Sequence, residues 1–344
     1  MRSALTVLAL ILAICACSPG EKAREQGPGP ELVAASPEGV IVLDPRERSF
    51  SGVARTGLRT WRDTVAYEQG STAICLSRCP DAVFSGAWEP PHPSPRRPGP
   101  AGVQAFPGPG SPIYRVLSAR SATDAVIAEG PRDGAGRLRL LRTGAAPTSL
   151  AVPSAAEVAW AENPQRTLAL AVIAGKALWF RRDQRGWRPL QARVPVGAAW
   201  GACTAGDGEL AVIVGERPAL LLDRTRTITI TTDLAVTGEC AAGRSGAVVL
   251  ARWRDQAGAP HTAIRGLDAT GAQTWARDIA AEAQVRAHPS GTRFVLTYGT
   301  AAEVVDQAGR VVARHPGVLS AAYTSAGELV LLDGDGTPQW LAAG

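Results

Sequence analysis

"GLDATGAQTWARDI", residues 266–279, reads as the end of one β-strand, a tight turn and a second strand built around a tryptophan. Aspartate suits the entry to such a turn because its side chain caps backbone amides within it. A glycine three residues later takes the positive φ that other residues resist. Asp268, Gly271 and Trp275 therefore have turn and packing roles.

Working outward, the same unit recurs: a short strand, a polar turn, a second apolar strand, then Asp and a tight turn into another strand. The clearest copies are "WGACTAGDGELAVIVGERPALLLDRT", "VRAHPSGTRFVLTYGTAAEVVDQAGR" and "SAAYTSAGELVLLDGDGTPQW". Anchored on their first strands at Val65, Val116, Trp160, Cys203, Cys240, Ala287 and Tyr323, the copies recur at a mean interval of about 43 residues. Four-stranded propeller blades repeat every 40–45 or so. The turn aspartates keep phase at Asp133, Asp183, Asp223, Asp268, Asp306 and Asp333, with Gly309 and Gly336 matching Gly271. No long helical period appears after residue 38, so the chain reads as an all-β protein. The expected architecture is a β-propeller over residues 38–344 with seven four-stranded blades, six or eight being the alternatives because the stretch 39–110 is the least regular. The short last copy is expected to be completed by the N-terminal strand "GVIVL" at 39–43, because closure removes exposed sheet edges.

"LDATGAQTW" resembles the repeat phrase of the PQQ-like propellers, in which Leu-Asp ends a strand, a Thr-Gly turn follows and Trp opens the next. Leu267, Asp268, Thr270, Gly271 and Trp275 stand at those places, while "LLDGDGTPQW" keeps Asp333, Gly336 and Trp340 and "VVDQAGRVV" keeps the turn. WD40-like propellers share the period. The resemblance implies a propeller of this superfamily, similar in architecture to the outer-membrane assembly lipoprotein of bacteria. It does not carry over a quinone site: the vicinal cysteine pair of quinoprotein dehydrogenases is missing, so no cofactor is expected.

The N-terminus reads as an export signal. Arg2 precedes an apolar run from Ala4 to Ile14, interrupted only by Thr6 and too short for a mature membrane span. "ICAC" at 14–17 resembles the bacterial lipobox, which makes residues 1–16 a signal peptide and Cys17 the lipidated residue. Residues 17–37, rich in Gly and Pro, read as a flexible tether. Two acyl chains, palmitate among them, anchor a protein without a spanning helix. The expected location is the extracytoplasmic side of a bacterial cell membrane.

Export implies an oxidising compartment, where paired cysteines become disulfides. With Cys17 acylated, Cys75, Cys79, Cys203 and Cys240 allow three pairings, of which nearest neighbours, Cys75–Cys79 and Cys203–Cys240, are favoured. A metal site at "CLSRC" is the alternative, and no neighbouring cluster completes four ligands, so no metal is expected. The formal charge of +5 is carried almost wholly by arginine, because Lys22 and Lys176 are the only lysines. Pairs such as Arg96–Arg97 do not make a basic tract, which argues against nucleic acid as a partner. A core of Val, Leu, Ala and Ile follows from 45% hydrophobic but only 5% aromatic content.

Residues 89–112 hold nine prolines and interrupt the second unit. Such a segment excludes a packed central strand and reads as an extended, poorly ordered insertion. Pro90, Pro93, Arg96, Arg97 and Pro100 are its candidate partner contacts. Catalytic motifs are missing: there is no Gly-x-Ser-x-Gly elbow and no Walker loop. His92, His261, His288 and His315 stand singly, in what read as turns or loops. "DGDG" at 333–336 lacks the downstream carboxylate of a calcium loop and reads as a hairpin. The function expected is a non-catalytic, membrane-anchored interaction scaffold of the cell envelope with protein partners. The alternatives are a propeller hydrolase or lactonase with an axial site, or a carbohydrate or cell-wall binding module.

Overall fold

The computed structural model describes residues 29–64, 72–85, 96–97, 104–105, 113–131, 134–230 and 239–342, all strands, turns and connections with no helix among them. The strands form eight antiparallel sheets arranged as a β-propeller, each built from strands consecutive in sequence. We number them sheet 1 (31–63), 2 (72–105), 3 (113–152), 4 (159–195), 5 (199–229), 6 (240–279), 7 (283–316) and 8 (318–341).

Several strands are buried at every position. Leu168–Ile173 of sheet 4 and Leu210–Gly215 of sheet 5 show no alternation of buried and exposed residues. A strand apolar on both faces needs a layer on each side. Each sheet accordingly packs between two neighbours, and each such interface has its own apolar cluster. Sheets 4 and 5 meet through Leu170, Trp179, Ile213 and Leu221, sheets 5 and 6 through Val212, Leu220 and Val249, and sheets 7 and 8 through Val295, Val304 and Leu331. Each fully buried Val, Leu or Ile contributes about 1.5–3 kcal/mol. Sheet 8 packs in turn on sheet 1 through Leu32, Val40, Val330 and Leu332, which closes the ring. Polar contacts follow the same seam. Leu32 N–H donates to Ser320 Oγ at 3.1 Å, Trp340 Nε1 to Ser36 O at 3.3 Å, and Arg55 grips both carboxylate oxygens of Glu328 at 2.8 and 3.1 Å.

Three expectations are corrected. The described residues form eight sheets where seven were expected, because the stretch 31–105 holds two. The outer strands of sheet 1, "SFSGVA" and "RTWRD", are too polar to read as strands, and those of sheet 2 are two residues each. Next, "GVIVL" does not complete the last sheet. Gly39–Asp44 is the second strand of sheet 1, whose first strand is Glu31–Ala35, so part of the segment read as tether already belongs to the ring. Sheet 8 has three strands among the described residues and seals against sheet 1 by packing. Finally, the proline-rich insertion contributes structure: Arg96–Arg97 and Gln104–Ala105 are the outer two strands of sheet 2, Arg96 pairing with Phe84. Pro90, Pro93 and Pro100, like Cys17, lie outside the described residues.

Disulfides join Cys75 to Cys79 and Cys203 to Cys240. The second ties the first strands of sheets 5 and 6 across 37 residues of sequence. Chain-entropy reasoning assigns that closure about 4 kcal/mol, against about 2 for the short clip.

Between sheets 3 and 4 the ring holds a buried ion pair. Arg182 Nη2 donates to Asp124 Oδ2 at 2.6 Å, with the arginine side chain 3% exposed and its guanidinium 5.0 Å from the Trp187 ring centre. Burial lowers the Arg182 pKa, and the bond to Asp124 opposes it. Arg182 Nε and Nη1 and Asp124 Oδ1 have no hydrogen-bond partner among the described residues. Breaking such a pair strands a charge, whereas replacing both partners does not. Urea unfolding should therefore show Asp124→Ala losing about 3–5 kcal/mol, and the double variant Asp124→Leu/Arg182→Met lying close to wild type. Equal losses in the two variants would contradict this reading.

Candidate axial binding site

The turns that opened the sequence reading are built alike. Asp268 Oδ1 accepts from Thr270 N at 2.8 Å, Thr270 Oγ1 at 2.6 Å and Ala272 N at 3.1 Å. Asp306 accepts from Ala308 N and Arg310 N, and Asp333 from Asp335 N and Thr337 N. Gly271, Gly309 and Gly336 sit at φ +80°, +77° and +77°. These bonds to Thr270 outweigh burial and hold the Asp268 carboxyl below its usual pKa. Asp333–Gly336 is thus a hairpin turn. A further copy, Asp255 with Gly258 at φ +83°, was missed although "DQAG" at 255–258 repeats the residues at 306–309. In "DRT", which has no glycine, Asp223 and Arg224 themselves take φ +48° and +60°. Asp133 lies outside the described residues.

Trp275 explains the rest of the phrase. Its ring lies over Gly266, its partner on the adjacent strand, where an added Cβ would come within 1.9 Å of Nε1. The ring also covers Gly309 of sheet 7, whose Cβ would fall 2.6 Å from it, and Nε1 donates to Gln307 O at 3.1 Å. The "LDATGAQTW" phrase is therefore a coupling between neighbouring sheets. Trp61 repeats it, with Gly52 beneath the ring and Nε1 donating to Pro80 O of sheet 2 at 2.8 Å.

The first strands of successive sheets lie side by side around the axis, running from one end of the ring to the other. At the end where they finish, Arg166, held at φ +54°, reaches across three sheets. It donates to Cys75 O and Leu76 O of sheet 2 at 3.1 and 2.6 Å, to Ala119 O of sheet 3 at 2.8 Å and to Glu162 of its own sheet at 2.7 Å. From the same loop Gln165 donates to Pro289 O, between sheet 7 strands, at 3.2 Å. Tyr323 lines a shallow depression here, and burial pushes its hydroxyl up to about 12, against the lowering effect of Arg293. His288 packs edge-on against Tyr323 at 4.9 Å, and burial lowers its pKa.

At the opposite end, where first strands begin, a cavity of about 850 Å³ opens on the axis. Its walls include Gly29, Pro30, Glu31, Glu239, Arg252, Gln284, Arg286 and Tyr298. Glu239 is held by Arg286 at 2.8 Å and by Arg252. Gln284 Nε2 donates to Glu31 Oε1 at 2.7 Å. Volumes of 300–1,000 Å³ or so with a few convergent polar groups suit small ligands. No sequence motif marks these residues: Glu239, Arg252 and Arg286 meet across the interface of sheets 6 and 7, and Glu31 reaches the same cavity from sheet 1.

His261 and His315 lie in strands, His288 directly follows one, and His92 is outside the described residues. The Asp255 Oδ2–His261 Nε2 contact is 3.1 Å, and the His261 ring stacks on exposed Trp253. No group of three or more metal-suited side chains occurs among the described residues.

No protein-family model matches the chain, and no curated protein matches it. Solved structures resemble it weakly. A chain of the mitotic checkpoint complex is 14% identical with a TM-score of 0.43, covering 78% of this chain and 87% of that one. Hsv2 of Kluyvelomyces marxianus is 10% identical with a TM-score of 0.41, covering 76% and 88%. Hydrazine synthase of Kuenenia stuttgartiensis is 11% identical with a TM-score of 0.31, covering 64% and 93%. Likeness at this level carries no argument about activity.

Tyr298 at the cavity wall is tied to Glu303, whose carboxylate also binds Arg277 and, at 3.5 Å, Arg314. Burial raises the Glu303 pKa, but the bonds from Tyr298 and Arg277 outweigh it and leave the carboxyl below 4.5. A carboxyl lowered on folding contributes stability above its unfolded value and loses it as pH falls through the folded one. Glu303→Gln should cost about 1–3 kcal/mol at neutral pH. In urea titrations the gap to wild type should narrow steadily below pH 4.5. A gap independent of pH would contradict the assignment.

Proposed function

We propose that the protein is a non-catalytic interaction scaffold, exported and lipid-anchored at Cys17 in a bacterial cell envelope. The observation that carries this reading is how the charged groups are used. Glu162, Glu239 and Glu303 are each committed to arginines that tie strands together, and the sheet faces are spent on one another. What the fold leaves outward are loop-lined ends and exposed side chains such as Trp200 and Trp253, 57% and 44% accessible. Large aromatics of this kind anchor protein interfaces.

Two disulfides support an oxidising compartment. A lipid on Cys17 would also orient the ring. Gly29 lines the axial cavity, and the intervening residues reach at most about 40 Å when extended. Pro90, Pro93 and Pro100, with Arg96 and Arg97 on the outer strands of sheet 2, make up the arm proposed to touch a partner.

Labelling cells with a clickable fatty acid should mark the wild type and not Cys17→Ala, which should leave the membrane fraction or stay unprocessed. Crosslinking in intact cells should recover envelope proteins, with fewer recovered by the Arg96→Ala/Arg97→Ala variant. Identical labelling and fractionation of Cys17→Ala would overturn the anchor. A purified protein that turned over a substrate would overturn the scaffold.

A further inference from the structure

The two exposed tryptophans differ in setting. Trp253 stands near the exposed tip of the hairpin formed by Gly246–Arg254 and Pro260–Asp268, its ring stacked on His261. Trp200, the second residue of the first strand of sheet 5, lines a groove at the end of the ring where first strands begin. A hollow of about 330 Å³ opens beside it, walled by Arg115, Glu157 and Glu216. A second hollow of about 450 Å³ shares Ala198 and Glu216 with the first and carries the groove on to Arg217, Thr227 and Thr229. Trp200 belongs to the first strand of sheet 5 and Thr229 to the fourth, so the groove crosses three strand spacings, about 14 Å.

Its walls restrict the ligand. The floor is small, Gly197, Ala198 and Ala199, and offers no deep apolar pocket to a peptide side chain. Among the described residues the side chains of Glu157, Glu216 and Arg217 make no hydrogen bond or ion pair, while Arg115 is held by Val158 O. Acceptors and a donor thus stand free along one groove, and neither sign of ionic ligand is selected. Hydroxyl groups, which both donate and accept, satisfy both kinds of wall. The exposed indole face of Trp200 adds a flat apolar platform of the kind on which the C–H face of a sugar ring lies. We infer that this groove binds an uncharged oligosaccharide, one ring stacked on Trp200 and the hydroxyls of its neighbours on Glu157, Glu216 and Arg217. The inference goes beyond the scaffold reading and leaves Trp253 to a protein partner.

Calorimetry on the full chain with cellohexaose, chitohexaose and maltohexaose, which differ in linkage and substituents, tests it. At least one hexaose should bind at millimolar concentration or below, and its monosaccharide at least tenfold more weakly. Trp200→Ala should weaken that hexaose at least tenfold and Glu216→Gln should weaken it too, while Trp253→Ala, at the same end but outside the groove, should bind it as the wild type does. Failure of all three hexaoses to bind, or equal binding by wild type and Trp200→Ala, overturns the inference. Loss of a crosslinked envelope protein in Trp200→Ala, with no saccharide bound by the wild type, overturns it in favour of a protein site. The hexaose and its monosaccharide are compared on the wild-type protein, so the test survives a variant that does not fold. Fatty-acid labelling and crosslinking of the wild type involve no saccharide, so the scaffold reading and this one fail separately.

Discussion

The structure depends on one constraint: its sheets are apolar on both faces and none can be buried by fewer than two neighbours. Leu168–Ile173 and Leu210–Gly215, buried along their whole length, show it most plainly. A stack of such sheets leaves two raw faces at its ends, and a ring leaves none. The last interface, Leu32 and Val40 against Val330 and Leu332, is therefore as necessary as any other. It is made by packing together with the Arg55–Glu328 pair and the Trp340–Ser36 bond.

Around this constraint the repeat supplies its couplings. Aspartate and glycine shape the turn, and the tryptophan of one sheet lies on the turn glycine of the next, as Trp275 does on Gly309. Arginines do the same work with charge, and the half-buried Arg166 connects three sheets from a single loop. Drawing first strands together around an axis also produces the site. Glu239 and Arg286 pair across the interface of sheets 6 and 7, and closure of the ring brings Glu31 of sheet 1 to the same cavity.

Much of the fold was legible in the chain. The phase of Asp268, Asp306 and Asp333 marks the turns, the 43-residue or so period marks the blade, and nearest-neighbour pairing matches both disulfides. The first two sheets were not legible, because "SFSGVA" and "RTWRD" lack an apolar period and two-residue strands between prolines leave no pattern. Their backbone pairing is imposed by tertiary context, which routinely overrides local preference. The axial cavity was invisible for another reason. Glu31, Gln284 and Glu239 are ordinary polar residues far apart in sequence, and no motif links them. The turn "DQAG" at 255–258 repeats residues 306–309 letter for letter and was equally legible.

Closure is also what the axial cavity requires, since Glu31 of sheet 1 lines it together with residues of sheets 6 and 7. Native-state hydrogen exchange tests it most directly, because amides that open only with global unfolding share one protection free energy. The account predicts that the amides of Val40 and Val42 in sheet 1 and of Val330 and Leu332 in sheet 8 are protected as strongly as those of Leu170 and Val212. Exchange at the seam that is faster by orders of magnitude than in sheets 4 and 5 would contradict a closed ring.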